Sequence, residues 1–377
     1  MKKQKICIVG DGLTGLTTAL ILSKLGIDID LISKKNKTTK FVDNRTTAIS
    51  EDNYFFLSKY LSNIDLKSFW PCQRIDLYYE KSNRYHHFMD FQNNGKNLMY
   101  IVENKKLRKI IFTIIRKEKN IKIINKKITN ISINESAIFT GNKKSIYDLI
   151  ILCLGKGSNI VSKLIGKRTI EENLGETAFT SLVKHKLNIS DARQYFLEEG
   201  PLAILPISKK QFSFVWSLNK KQNINEIKNL VHLKLKKILN TRRKIVLNNF
   251  SSFPISFKFN INFFKRNFLV LGEGLYNIQP VAGQGFNLIL RDIRELYRQI
   301  EKHFSLGLQI KDSLIFKKFM LSRKPENLFF GLGINFTNRF FKHNRSTSLF
   351  KEIILKDINK FKLLKDLSLK ISNKGIF

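Results

Sequence analysis

The spacing of apolar residues changes period twice near the N-terminus. Lys5 to Val9 is a short, nearly continuous apolar run, the pattern of a strand buried on both faces. From Leu13 to Leu25, apolar and small residues recur at helical spacing (Leu16, Ala19, Leu20, Ser23), and Gly26 follows as a C-terminal stop. Ile27 to Ile32 reads as a second strand. Strand, glycine turn, helix and strand in so short a stretch form a βαβ unit, whose crossover makes the two strands parallel.

The remaining pattern predicts a helix over Leu107 to Ile115, strand-like alternation over Ile121 to Ile133, and a buried parallel strand over Asp148 to Gly155. From Glu172 to Phe257 the pattern becomes β-rich, with turns at Gly200-Pro201 and Pro206. Phe268 to Gly272 reads as another buried strand, followed by a glycine-rich loop and a helix from Gly285 to Ile300. From Asp312 onward several amphipathic helices are expected, rich in Phe and Lys. Buried parallel-strand patterns on both sides of a β-rich stretch imply an α/β chain whose dinucleotide-binding domain is interrupted by an insertion.

Composition adds a strong charge asymmetry: 67 Lys plus Arg against 30 Asp plus Glu, in 377 residues. Such a surplus favours nucleic acid or an anionic membrane. Lys, Asn, Ile and Phe are abundant throughout, however, the signature of AT-rich coding, and no nucleic-acid-binding module is recognisable. We therefore expect no nucleic-acid partner. Near anionic headgroups each basic residue would still contribute about 1 kcal/mol of attraction. No stretch reaches the roughly 18 uncharged apolar residues of a membrane span. Gly10, Asp11 and Gly12 interrupt the first apolar run too early for a signal peptide. Cys7, Cys72 and Cys153 have no metal or disulfide spacing, and the six histidines none for a metal, so we expect no metal and a reducing cytoplasm. His86-His87 reads as a solvated pair.

The chemistry is carried by glycines. In Gly10-Asp11-Gly12-Leu13-Thr14-Gly15, the first glycine permits the tight turn, the second admits a pyrophosphate to the backbone, and the third lets helix and strand pack closely. The helix that follows offers unpaired N–H groups to the phosphates. A ribose-binding carboxylate is expected about 20 residues later, yet Ser33 stands there, able to make only one hydrogen bond. A second constellation runs from Gly272-Glu273-Gly274 through Pro280, Gly283, Gly285 and Phe286 to Asn287.

This second segment resembles the flavin-binding signature of the FAD-dependent aromatic hydroxylases, and Pro-Val-Ala-Gly-Gln-Gly-Phe-Asn-Leu is similar to their ubiquinone-biosynthesis branch, of the 2-polyprenyl-6-methoxyphenol hydroxylase type. Asp43-Asn44-Arg45-Thr46-Thr47-Ala48-Ile49-Ser50 resembles that branch's D-x-R-x-x-A-[LI]-S segment, whose arginine approaches the cofactor. Tyr100-Ile101-Val102-Glu103-Asn104 with Leu107 is similar to its Y-x-V-E-N-x-x-L segment. Phe196, Gly200 to Pro206, and Val215-Trp216 resemble its substrate-domain strands. Three positions depart: Leu154 replaces the aspartate of the family's Asp-Gly motif, and Glu273 and Tyr276 replace a Gly-Asp aspartate and a frequent histidine.

The resemblance implies a p-hydroxybenzoate hydroxylase-like fold: a Rossmann-like FAD-binding domain over 1–65, 97–165 and 265–325, a β-rich substrate domain over 66–96 and 166–264, and a helical C-terminal region over 326–377. It implies FAD held by Gly10, Gly12, Leu13, Thr14, Gly15, Ser33, Arg45, Asn104, Gly272, Glu273, Pro280, Gly283, Gly285, Phe286 and Asn287. NAD(P)H would be the co-substrate, and O2 would be activated as a C4a-hydroperoxyflavin, with no side-chain nucleophile. The substrate implied is a polyprenylated phenol of ubiquinone biosynthesis, met by a cytoplasmic protein peripheral to the inner face of the membrane. The segments Phe329 to Phe341 and Phe350 to Leu369 read equally as interfacial or as core-facing helices. Two alternatives stay open: a related hydroxylase of a soluble aromatic, and a turnover-deficient flavoprotein subunit of a quinone-biosynthesis complex.

Overall fold

The structure, a computed structural model, describes residues 4–33, 43–155, 158–166, 168–218, 224–277, 284–311 and 313–341, together with 366, 368–371 and 373. Its first sheet has six strands in the order Phe264–Lys265, Phe268–Val270, Leu149–Leu152, Lys5–Val9, Asp28–Ser33 and Ile121–Asn125. All neighbours run parallel except the Phe264–Lys265 edge. Lys5–Val9 lies in the middle, with Val9 paired to both Ile32 and Leu152, so its continuous apolar run is sealed on both faces.

Three helices cover this sheet. Leu13–Ser23 is buried almost all round, which its small and apolar residues allow. Asn104–Ile115 packs against it through Leu107, Ile111 and Ile115, one stripe at helical spacing. Gln284–Ser305 inserts Leu288, Ile293, Leu296 and Ile300. The expected alternation over Ile121 to Ile133 is split. Ile121–Asn125 stays in the parallel sheet, whereas Asn130–Ser132 joins a small antiparallel sheet with Ala137–Thr140 and Lys143–Ile146.

The β-rich stretch forms most of an eight-stranded sheet, ordered Tyr276–Asn277, Val246–Asn260, Thr169–Lys184, Gln211–Leu218, Gly200–Ser208, Ala192–Leu197, Arg74–Lys81 and Arg84–Gln92. One face is covered by the helix Ile224–Ile238, which sequence pattern did not single out; Ile227, Val231 and Leu235 pack on Phe212, Phe214 and Trp216. The other face looks toward the parallel sheet, across a three-stranded layer of Thr46–Ser50, Met99–Glu103 and Trp70–Cys72.

Of the several C-terminal helices expected, one spans Ser313–Phe341 through Pro325, and residues 366, 368–371 and 373 are helical as well. Proline removes a backbone donor from a helix interior, but the residues around it are anchored to the helix Gln284–Ser305. Arg323 donates to Asp292 (2.7 Å) and bonds Glu326, Asn327 donates to Asp292 (3.1 Å), and Arg291 donates to Glu326 (3.0 Å). These ions are all buried. Burial pushes the Asp292 carboxyl above its usual range, against the opposing pull of Arg323.

Candidate functional site

The glycine turn is constrained on one side and open on the other. Gly10 has φ +112°, and a Cβ there would lie 2.4 Å from the Cys153 carbonyl oxygen. A Cβ on Gly15 would lie 1.8 Å from the Gly10 carbonyl oxygen. Both positions require glycine for close strand–helix packing. Gly12 differs: a Cβ would meet nothing within 4 Å. Its open side faces a cavity of about 480 Å³ that Leu13 and Thr14 also line. Leu16 N–H donates to the Gly12 carbonyl (3.0 Å), and the helix has no acidic residue in its first turn. An anion meets free donors and the positive end of the helix dipole here. A cradle open at Gly12 and closed at Gly10 and Gly15 fits a pyrophosphate.

Arg108, which sequence reading passed over, stands above this turn. Its guanidinium donates to the Asp11 carboxylate (2.8 Å) and to the Asp11 carbonyl (3.2 Å). The one sequence signal was its place directly after the Asn104…Leu107 pair.

Three motifs far apart in sequence converge on the same cavity. Arg45 donates through Nε and Nη2 to the two Asp43 oxygens (2.8 Å each), and Asn104 donates to Asp43 (3.1 Å) while accepting from Thr47 (2.6 Å). Burial alone would raise the Asp43 carboxyl; the Arg45 bonds and charge outweigh it and hold Asp43 below the usual carboxylate range. Glu273 is 46% exposed and lies 3.5 Å from Arg45, the looser side of the clamp. Gly272, at φ +80°, abuts Thr14, where a Cβ would come within 2.9 Å of the side chain. The first and last motifs thus touch. Leu154 is also in the wall, contributing no polar group where the resembling family has a carboxylate.

Of the remaining expected site residues, Gly285 and Phe286 line this cavity, and Asn287 is buried behind them. Asn287 Oδ1 accepts from the Ser50 N–H (2.9 Å), and its amide donates to the Ala48 carbonyl (2.9 Å). Ser33 does not line the cavity; its hydroxyl donates to Asn125 Oδ1 (2.7 Å) on the neighbouring strand. Asp30, on the same strand, is buried, accepting from the Tyr147 hydroxyl (2.8 Å) and pairing with Lys5 (2.7 Å). Pro280 and Gly283 lie outside the described residues. Tyr276 takes the place of the family's histidine and donates to Asp292 (2.6 Å), joining the cavity wall to the buried ion network. His86 and His87 are exposed, and His87 is 3.2 Å from Asp76.

A second cavity, about 680 Å³, adjoins the first, and Ala203 and Leu205 line both. Its walls are mainly apolar: Ile75, Leu77, Phe91, Met99 and Phe196 from the strands, Phe329 and Phe330 from the C-terminal helix. Asp366, Ser368, Leu369, Lys370 and Asn373 line one side, where Asn373 accepts from the Asp52 N–H (2.9 Å).

Residues 3–51 match the FAD binding domain family. The chain is 24% identical over 354 residues to the "Ubiquinone hydroxylase UbiL" of Rhodospirillum rubrum, covering 87% of this chain and 79% of that protein. It is 22% identical over 317 residues to the mitochondrial "Ubiquinone biosynthesis monooxygenase COQ6" of Dictyostelium discoideum, covering 68% of this chain and 64% of that one, just under two thirds of its length. Among solved structures, the p-nitrophenol 4-monooxygenase PnpA of Pseudomonas putida superposes with TM-score 0.81 at 14% identity, covering 99% of both chains. Klebsiella pneumoniae HpxO, solved with FAD and uric acid, superposes with TM-score 0.75 at 13% identity, covering 98% and 97%.

The chain has the fold and the FAD-binding segment of an FAD-dependent monooxygenase. The dinucleotide of the glycine turn is therefore FAD. The cradle at Gly12, the Gly272–Thr14 contact and the cavity between them fit that cofactor.

Proposed function

We propose that this protein hydroxylates the aromatic ring of a polyprenylated phenol in ubiquinone biosynthesis, using FAD, NAD(P)H and O2. The observation that carries this reading is that the dinucleotide cavity and a larger, mainly apolar one share Ala203 and Leu205 in their walls. An aromatic ring held at the junction would meet the flavin, while an isoprenoid tail would occupy the apolar walls; each buried CH2 favours binding by about 0.8 kcal/mol.

When bound, FAD supplies the electron transfer from NAD(P)H to O2 and the delivery of one oxygen atom to the ring. The chain's own residues bind, orient and exclude water. Gly12, Leu13, Thr14 and Gly15 would present backbone N–H groups to the pyrophosphate, with Arg108 above them, while Gly10, whose own N–H donates to the Ile32 carbonyl (2.9 Å), would shape the turn. Ser33, together with Asn125, would lie near the ribose. Arg45, held by Asp43 and Asn104, would face the cofactor opposite Gly272 and Glu273. Gly285, Phe286 and Asn287 would place helix N-terminal N–H groups where negative charge builds on the reduced ring. Apolar walls keep water from the reacting atoms.

A substrate dissolved in lipid would be reached from a membrane surface. Leu314, Leu321, Phe329 and Leu332 are exposed along one side of the helix Ser313–Phe341, beside Lys317 and Lys318. That face suits a peripheral contact with anionic lipid. Among the described residues, no helix is long and apolar enough to cross a membrane.

Leu154 favours a second reading, a flavoprotein subunit of a quinone-biosynthesis complex that binds FAD without turnover. One strain separates the two. A strain lacking the gene should accumulate a single prenylphenol short of one hydroxyl, and the purified yellow protein should oxidise NAD(P)H faster when that compound is added. Accumulation without stimulated oxidation supports the subunit reading; a colourless protein that ignores added FAD defeats both.

A further inference from the structure

Gln194 lies at the centre of the apolar cavity's sheet wall and is 6% exposed. On its strand, Ala192 and Phe196 share the cavity-lining face. Across the sheet it pairs with Leu77 on one side and Ala203 on the other. A primary amide is thus set among aliphatic and aromatic side chains. Its Nε2 makes one long contact, 3.5 Å to the Tyr195 carbonyl, and its Oε1 accepts no hydrogen bond among the described residues. A buried amide so weakly engaged costs stability that leucine at the same position would not.

Its place in the sheet says what the amide is for. Ala203, one strand away, lines both cavities, and Val215, paired with Ala203, lines the dinucleotide cavity. Adjacent strands are about 4.8 Å apart. Gln194 therefore sits one strand step from the junction, within reach of an oxygen substituent on a ring held there.

We propose that Gln194 is a substrate-binding residue, its amide hydrogen-bonding a neutral phenolic oxygen and so holding the ring at the mouth of the flavin cavity. This rests on the hydroxylase reading above. It deepens that reading by assigning the polar recognition of an otherwise greasy substrate to one side chain. Gln194 accepts from a phenol O–H through Oε1 or donates to a ring alkoxy oxygen through Nε2. An uncharged amide suits a neutral phenol, whose oxygen needs a hydrogen-bond partner rather than a counter-charge.

The test uses the FAD-loaded protein and two probes differing by one hydroxyl, 2-pentylphenol and pentylbenzene, titrated by their perturbation of the flavin absorbance. In Gln194→Leu, and in Gln194→Met as an unbranched second variant, the preference for the phenol over the hydrocarbon should fall about five- to tenfold. Pentylbenzene should bind as well as before or better, and the FAD content should be unchanged. A merely structural role would shift both probes alike. If both variants keep the wild-type preference, Gln194 is not the anchor and the proposal is overturned while the hydroxylase reading stands. If neither probe perturbs the flavin of the wild-type protein, the apolar cavity is not an aromatic site and both fall.

Discussion

The two cavities that meet at Ala203 and Leu205 are built by opposite means. The dinucleotide cavity is made from backbone and short motifs: a glycine turn, the Asp43–Arg45 clamp, and a glycine pressed against Thr14. The apolar cavity is made from single side chains on separate strands, with Phe329 and Phe330 of the helix Ser313–Phe341 and Leu369 and Asn373 completing its lining. The first tolerates little change because backbone approaches backbone within it. The second is a surface of apolar side chains over which volume, more than identity, decides what fits.

That contrast is broken hardest at Gly12. Gly12→Val should yield a folded, colourless protein, since its Cβ meets no protein atom but occupies the pyrophosphate's space; loss of FAD on gel filtration, with unfolding stability changed by no more than about 0.5 kcal/mol, checks it. In Gly15→Ala the same methyl would collide with the Gly10 carbonyl, and the apoprotein itself should be destabilised. Next is Arg323→Met, which leaves the buried Asp292 carboxylate without its cation and Glu326 with Arg291 alone. It should cost about 3–5 kcal/mol in urea unfolding. Because that network joins the wall behind Tyr276 to the helix bearing Phe330, both cavities should loosen together.

Smaller effects separate the cavities. Leu77→Trp should narrow the apolar cavity and weaken phenol binding about tenfold, roughly 1.4 kcal/mol, with FAD affinity unchanged. Asp43 sets a pH signature confined to the dinucleotide side. Its carboxyl is held below the usual range in the folded protein, so its contribution to stability is complete above the unfolded value of about 3.9 and is lost as pH falls through the folded one. FAD retention should therefore be flat from neutral pH down to about 5 and fall only below about 4. In Asp43→Asn, weakened retention at neutral pH with no further acid step would bear this out. The smallest change is Ser33→Asp, which should tighten FAD about threefold by offering the ribose a carboxylate, measured by flavin fluorescence quenching. Unaltered affinity would place the ribose elsewhere.

Much of the dinucleotide side was legible in the chain itself. The strand Lys5–Val9 has the bounds its apolar run predicts, and the helix after it starts at the expected Leu13. Arg45, Asn104, Glu273 and Gly285 were picked out by motif and do line one cavity. Arg108 was missed because its partner, Asp11, lies 97 residues away and no local pattern marks the pair. The helix Ile224–Ile238 was overlooked inside a β-rich stretch, although Ile227, Val231, Leu235 and Ile238 recur at helical spacing; the structure shows the Phe212, Phe214 and Trp216 surface that this stripe covers. That the helix Ser313–Phe341 continues through Pro325 was not legible either, because the residues anchoring it there bond to Asp292 and Arg291 on another helix.

By itself, then, the sequence determined the local conformations that glycine, helix ends and apolar periodicity enforce, because those preferences act within a few residues of one another. It thereby determined a βαβ turn able to hold FAD. Only the tertiary structure decided that Ser33 would pair with Asn125, that Asp292 would be buried among arginines, and that Gln194 would lie one strand from the cavity junction. Strand order and register set those relations, and they arise from burial summed over the whole core rather than from any pattern that a short segment carries.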